Sequence, residues 1–439
     1  MAHQAHNIAW HALTSNLKFY SPKSPSKDKP TNLYFQFNPN QTDDIRHFAI
    51  SFAKNIREHT ACERKKYLAR FDVPNEDDVL LTDATTQKIS PLVYKWRHRY
   101  HWDLAVPSET KSLTSPSLRR LCTHNDGFRC RCAIPFQERK VSSFLRQYTS
   151  NRCYEFFKLN TEAFYNIELV KTLLLYREME PILRVCAHPN VDIEEWQSQA
   201  QCYCEVYDAG WDIVYESALN AYLCLNILYE FPALWDSTSS SSKLADYRST
   251  KLYQRTLRTC TYSTCTSEIA KYPHRAFFGI SDDQFKFGQN NMPDIYSIHS
   301  AGKYFEDEKN FPYGLAPIED FLSSKKHEVE YLPDIFAVAV VRDVLRLKSL
   351  PEELVYDVME RADYTVKRRL IYPDDPFHPG NRDELQRYLK YCWQLVVNCN
   401  MMAEELEVSI EWDDLIYKFL STFLSSPGGR KIGSFYLFD

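Results

Sequence analysis

Glycine occupies only 10 of 439 positions, about 2% where soluble domains average about 7%. That scarcity limits the backbones the chain can reach. Phosphate-cradling loops and β-sandwiches rich in tight turns need residues at positive φ, which glycine supplies without steric strain. Helices need no such residues in their interiors. The expectation is therefore a mainly α protein, a multi-helix bundle-like architecture in two parts, joined by Pro, Asn and Asp turns, with few short strands.

The remaining composition is that of a globular chain, with 44% hydrophobic, 25% charged and 14% aromatic residues. Against a prior of about 150 residues per folding unit, the length predicts two or three units. Composition shifts place a polar N-terminal segment at 1–33 and a helical domain at 34–235 with a basic Cys/His region at 95–146. A Ser-rich linker or loop follows at 236–250, then an irregular connecting region at 251–330 and a C-terminal helical domain at 331–439. The opening MAHQAHNIAWHALTSNLKFY carries His and Asn where an export signal has a basic head and an apolar core. No apolar run approaches the roughly 18 residues that cross a bilayer. These features predict a soluble protein of the cytoplasm or nucleus, without a membrane partner, whose 13 cysteines are thiols.

Periodicity locates the helices. Ile45, Phe48, Ala49, Phe52, Ala53 and Ile56 lay one apolar stripe after Thr42, which reads as a cap. Three further segments follow: Thr161 to about Glu180, stopped by Pro181; about Asp192 to Ala209; and about Trp211 to Phe231, apolar nearly all round and so central to a core. Asn381 reads as the cap of a long helix in which Leu385, Tyr388, Cys392, Leu395, Cys399, Met402 and Leu406 alternate spacings of three and four. A last helix gathers Trp412, Leu415, Ile416, Phe419, Leu420 and Phe423 on one side and ends before Pro427.

The stretch SLPEELVYDVMERADY, 349–364, reads as a helix start, with Ser349 and Glu352 at capping-box spacing and Pro351 in the first turn. It resembles the opening of an F-box, the module that joins a protein to a ubiquitin-ligase adaptor. That resemblance implies a partner-binding face on Leu350, Pro351, Leu354 and Val358. More widely, residues 350–406 resemble a C-terminal region of uncharacterised proteins of filamentous fungi, with a similar succession of LP-x-EL, a D-P-x-HP turn and a YLKYCWQLL-type helix. The resemblance implies a shared helical module and a fungal origin, and brings no catalytic residue.

Three clusters bear on chemistry. In CTHNDGFRCRC, Cys122, His124, Cys130 and Cys132 offer four zinc-compatible ligands around an Asn-Asp-Gly turn; each pair has one intervening residue where a common knuckle has two. The alternative is a set of free thiols in a basic loop. The window from Lys95 to Arg146 holds eleven basic and four acidic residues, hence +7, which leaves −12 for the rest of a chain of net −5. Its arginines Arg97, Arg99, Arg119, Arg120, Arg129 and Arg131 lie among aromatic residues, a composition suited to nucleic acid and equally to an acidic face of the same molecule. Asp374, Asp375 and His378 in YPDDPFHP carry acid-base groups, but three prolines make this a rigid turn before Asn381. No nucleotide-binding, metalloprotease or hydrolase motif is present in the sequence.

The resulting expectation is an interaction protein without catalytic residues or an obligatory cofactor, possessing a protein partner. Nucleic-acid binding is the alternative, and an enzyme would need a site gathered from distant segments. Metal analysis of protein purified without chelator separates the readings of the cysteine loop. Stoichiometric zinc that disappears in a Cys130→Ser, Cys132→Ser variant makes it a metal site, and metal-free protein leaves four ordinary side chains.

Overall fold

The structure is a computed structural model that describes residues 41–103, 134–149, 156–198, 209–230, 251–261, 268–279, 335–362, 369–372 and 375–423, with short pieces at 8, 10, 13, 17–19, 33–35, 200–201, 206–207, 247–249, 333 and 364. Among these residues the helices are α1 (Gln41–Arg64), α2 (Asp83–Asp103), α3 (Val141–Phe144), α4 (Phe156–Tyr176), α5 (Met179–Cys186), α6 (Asp212–Tyr229), α7 (Lys251–Thr261), α8 (Glu268–Phe278), α9 (Ile335–Leu347), α10 (Glu352–Arg361), α11 (Arg382–Glu405) and α12 (Trp412–Phe423). The described strands form two antiparallel pairs. Leu17–Phe19 faces Leu33–Phe35, with Leu17 opposite Phe35, and Ala200–Gln201 faces Val206–Tyr207. The protein is mainly α, as the scarcity of glycine predicts.

One apolar core extends from Ile8 to Leu420. Every residue of the stripe read on α1, from Ile45 to Ile56, is buried in it. Between Ile213 and Leu228 on α6 only Glu216 and Asn220 keep partial exposure, so this helix takes the central place its composition demands. Helix α11 lies against α6 and α1, and α12 lies against α1. Polar contacts fix the register of these helices: Asn400 Nδ2 donates to Thr60 Oγ1 at 3.0 Å, Trp412 Nε1 donates to Asn400 Oδ1 at 2.6 Å, and Arg64 pairs with Glu405 at 2.5 Å.

Several local expectations are corrected. The helix read over 192–209 is absent from the described part of that stretch. A 3₁₀ turn spans Ile193–Trp196 and a two-stranded hairpin follows. The chain returns so closely that Trp211 N donates to Trp196 O and Asp212 N to Gln197 O, both at 2.8 Å. A β-carbon on Gly210 would stand 2.0 Å from Ser198 O, so only glycine fits there. Pro181 does not stop a helix. The break falls at Arg177, and Pro181 sits in the first turn of α5, where its missing N–H leaves no helical bond unmade. Residues 251–261 and 268–278, read as irregular, are helices α7 and α8. The inward face of α7 is Leu252, Tyr253, Thr256, Leu257, Cys260 and Thr261, in which Thr, Tyr and Cys stand in for aliphatic residues.

Scarce glycine leaves a mark at the helix ends. Helix α4 closes with Arg177 N donating to Leu174 O and Glu178 N to Leu173 O. Helix α9 closes likewise through Ser349 and Leu350, and α11 through Glu407 and Val408. These are Schellman ends, whose left-handed position is usually glycine. Here Arg177, Ser349 and Glu407 hold φ of 61°, 60° and 58°. Ser349 therefore terminates α9 and does not cap α10, and the Glu352 carboxylate receives Arg346 and the Tyr356 hydroxyl in place of a capping-box partner. Each left-handed non-glycine costs about 1 kcal/mol. Replacing Arg177, Ser349 or Glu407 singly by glycine should raise stability by about 0.5–1 kcal/mol in denaturant titrations, whereas Ser217→Gly in the middle of α6 should lower it.

Candidate functional site

Helix α8 places Lys271, His274 and Arg275 inside the core, at 3%, 0% and 5% exposure. A helix C-terminus leaves four carbonyls without partners and carries partial negative charge. Helix α7 ends against α8, and the buried cations meet its last carbonyls: Lys271 Nζ donates to Thr259 O at 2.6 Å and Arg275 Nε to Thr261 O at 2.5 Å. Lys271 also reaches Ser217 Oγ on α6 at 2.9 Å. The ring of His274 lies 2.6 Å from the Tyr388 hydroxyl through Nδ1, and burial holds its pKa down to about 3, so the ring is neutral. A second buried pair, Lys171 with Glu168 on α4, sends Nζ to Ala209 O at 3.1 Å and ties α4 to the approach of α6. These groups do structural work that the sequence reading missed, because a helix is expected to carry such charges on its wet face.

The buried thiols are chemically quiet. Burial pushes Cys260 up to about 12 and raises Cys186, Cys224, Cys392 and Cys399 further. Nucleophilic and metal-binding cysteine is the thiolate, which this environment disfavours. Among the described residues no group of three or more His, Cys, Asp and Glu could hold a metal ion. No described helix is long and apolar enough to cross a membrane.

The described part of the turn before α11 is closely hydrogen-bonded. Asn381 stands at the N-cap but spends its side chain elsewhere: Oδ1 accepts from Tyr372 N at 3.0 Å, while Nδ2 donates to Tyr372 O and Asp375 O at 2.7 and 2.8 Å. Asp375 Oδ1 accepts from the Tyr247 hydroxyl at 2.6 Å, and His378 stacks on Tyr372 with its Nδ1 accepting from Gly380 N. Asp374 lies outside the described residues, and so do Cys122, His124, Cys130, Cys132, Arg119, Arg120, Arg129 and Arg131. Arg97 pairs with Glu138, its side chain only 10% exposed. Arg99 lies on α2, its side chain outside the described set.

The partner face read on 350–358 has a different setting. Helices α9 and α10 form a hairpin closed by the pairing of Arg346 with Glu352. Val355, Tyr356 and Met359 turn inward, Tyr356 meeting Tyr94 of α2 at 5.1 Å. Leu350 and Pro351 are half-buried, and Leu354 and Val358 are 47% and 43% exposed. The sequence reading missed α9. From Ala337 to Leu347 none of its side chains is buried, although the helix is apolar nearly all round, and such helices normally lie in a core. Val340, Val344 and Leu347, at 61%, 48% and 83% exposure, recur at spacings of four and three on a helix that packs against α10, which carries Leu354 and Val358. After α10 the next described α-helix is the 24-residue α11, preceded by a 3₁₀ turn at Pro379–Asn381.

A family model described as gramillins biosynthetic cluster protein GRA5 matches residues 11–427. Comparison with curated proteins gave no match, and neither did comparison with solved structures. Reagent access should follow the burial pattern: iodoacetamide at pH 8 on native protein labels Cys62, which is exposed, and leaves Cys186, Cys224, Cys260, Cys392 and Cys399 unmodified until denaturant is added. Peptide mapping checks this site by site.

Proposed function

From the membership of this chain in the gramillins biosynthetic cluster protein GRA5 family, we propose that it serves a fungal biosynthetic cluster as a non-catalytic interaction protein, docking a protein partner on the apolar face of the α9–α10 hairpin. One observation carries the reading. Five aliphatic side chains, Val340, Val344, Leu347, Leu354 and Val358, stand 43–83% exposed on adjoining helices. Scattered exposed aliphatics are ordinary, whereas several concentrated on two packed helices are the pattern of an interaction site.

The charges around these side chains support a protein occupant. Arg346 meets Asp343 and Glu352, and Arg361 meets Asp357 at 3.0 Å, so both of these rim arginines are paired within the hairpin, while Lys348 is exposed. A membrane-surface helix would show several uncompensated lysines and arginines there. Covering five half-exposed aliphatics is worth roughly 5 kcal/mol, at the low end of the entropy lost on association, about 4–15 kcal/mol. The proposed contact is therefore reversible and needs additional rim pairs.

Tagged protein co-expressed with the other proteins of its cluster provides the test. Wild type should retain at least one of them through purification, and Leu354→Asp, Val358→Asp, with circular dichroism unchanged, should lose it. Retention by the variant would refute the reading.

A further inference from the structure

On the reading that the hairpin's outer face is an interaction surface, we infer that α9 pairs with α9 of a second copy of the chain in a parallel, two-stranded seam. Ala337, Val340, Val344 and Leu347 recur at intervals of three, four and three, the a/d spacing of a coiled coil. Val344 takes an a position and Leu347 a d position, and a β-branched residue at a with Leu at d favours two parallel strands. The opposite side of α9 belongs to the molecule itself. Burial raises the pKa of the Tyr176 and Tyr356 hydroxyls, and Arg342, at the f position, lies close enough to both for its charge to oppose that rise. Its polar residue faces inward and its apolar seam outward.

Charges flanking the seam select a second copy over an arbitrary apolar helix. Asp343 falls at g and Lys348 at the following e position, five residues on, the pair that meets across a parallel dimer. Asp343 touches Arg346 at 3.3 Å but keeps 63% of its side chain in solvent, and Lys348 is exposed. A two-fold axis along the seam forms the Asp343–Lys348 pair twice, once in each direction, as an isologous interface requires. Helix α9 has 13 residues and is about 20 Å long, so the dimer is reversible at micromolar concentrations.

Sedimentation velocity on the full chain tests the seam. Wild type should shift from monomer to dimer across the micromolar range, and Val344→Asp should stay monomeric with unchanged circular dichroism. Asp343→Lys and Lys348→Asp should each self-associate at least tenfold more weakly than wild type, while their equimolar mixture recovers the dimer, since one copy then presents only lysines and the other only aspartates. A wild-type monomer throughout would overturn the inference, as would a dimer unaffected by Val344→Asp or a mixture no tighter than its components. A monomer whose melting temperature falls in Val344→Asp overturns it in favour of cover by a segment of the same chain. If wild type is monomeric yet Leu354→Asp, Val358→Asp still loses a cluster protein, the second copy is wrong and the interaction surface stands; if that variant loses nothing either, both fall.

Discussion

Trp393 of α11 lies with its ring 5.6 Å from Phe52 of α1, 5.3 Å from Tyr222 of α6 and 5.2 Å from His59. Through this one side chain the first long helix, the central apolar helix and the last long helix share a contact. Trp10 extends the aromatic cluster to Phe48, Phe52 and Tyr222. Edge-to-face rings of this kind contribute through their quadrupoles as well as their buried area. The polar bonds among Thr60, Asn400 and Trp412 require that packing to be in place, because buried polar groups are stable only where their partners are held in position.

The helices that were legible in the sequence are those whose faces are built from aliphatic residues. The stripe from Ile45 to Ile56 and the one from Leu385 to Leu406 needed no other clue. What escaped was of two kinds. Helix α7 packs with Thr256, Cys260 and Thr261, and α8 with Lys271, His274 and Arg275, so hydropathy reads as mixed where burial is complete. At Ser349 the error was one of position, since it closes the preceding helix three residues before α10 begins; Asn381 does stand at the N-cap, but its side chain binds Tyr372 and Asp375 in the turn before it. Capping chemistry is short-range, and the sequence alone does not say on which side of the residue its partner lies.

The candidate site was legible in part. Leu354 and Val358 entered through the resemblance of residues 349–364 to an F-box opening, and both are solvent-facing. That the adjoining α9 carries its apolar seam outward was not legible, because a run such as Ile335–Leu347 reads as core from composition. Arg342 and Arg346, one turn apart on its α10 side, are the polar reversal, and two residues in thirteen do not shift a pattern. In contrast, the groups that most resemble chemistry are engaged inside the core: Lys271 bonds the last turn of α7, Lys171 bonds Ala209 O, and burial keeps the thiols protonated.

Residues far apart in the chain close the bundle: Arg64 meets Glu405 across 341 positions and Thr60 meets Asn400 across 340. During synthesis the inner stripe of α1 lacks its partners on α11 and α12 until the end of the chain leaves the ribosome, although Trp10 and Tyr222 of α6 are made earlier. At about 5–20 residues per second, that interval is tens of seconds, during which Phe48, Phe52 and Ile56 lack that cover. Exposed apolar surface of this kind is aggregation-prone, so the end of the chain governs how long the first helix stays at risk.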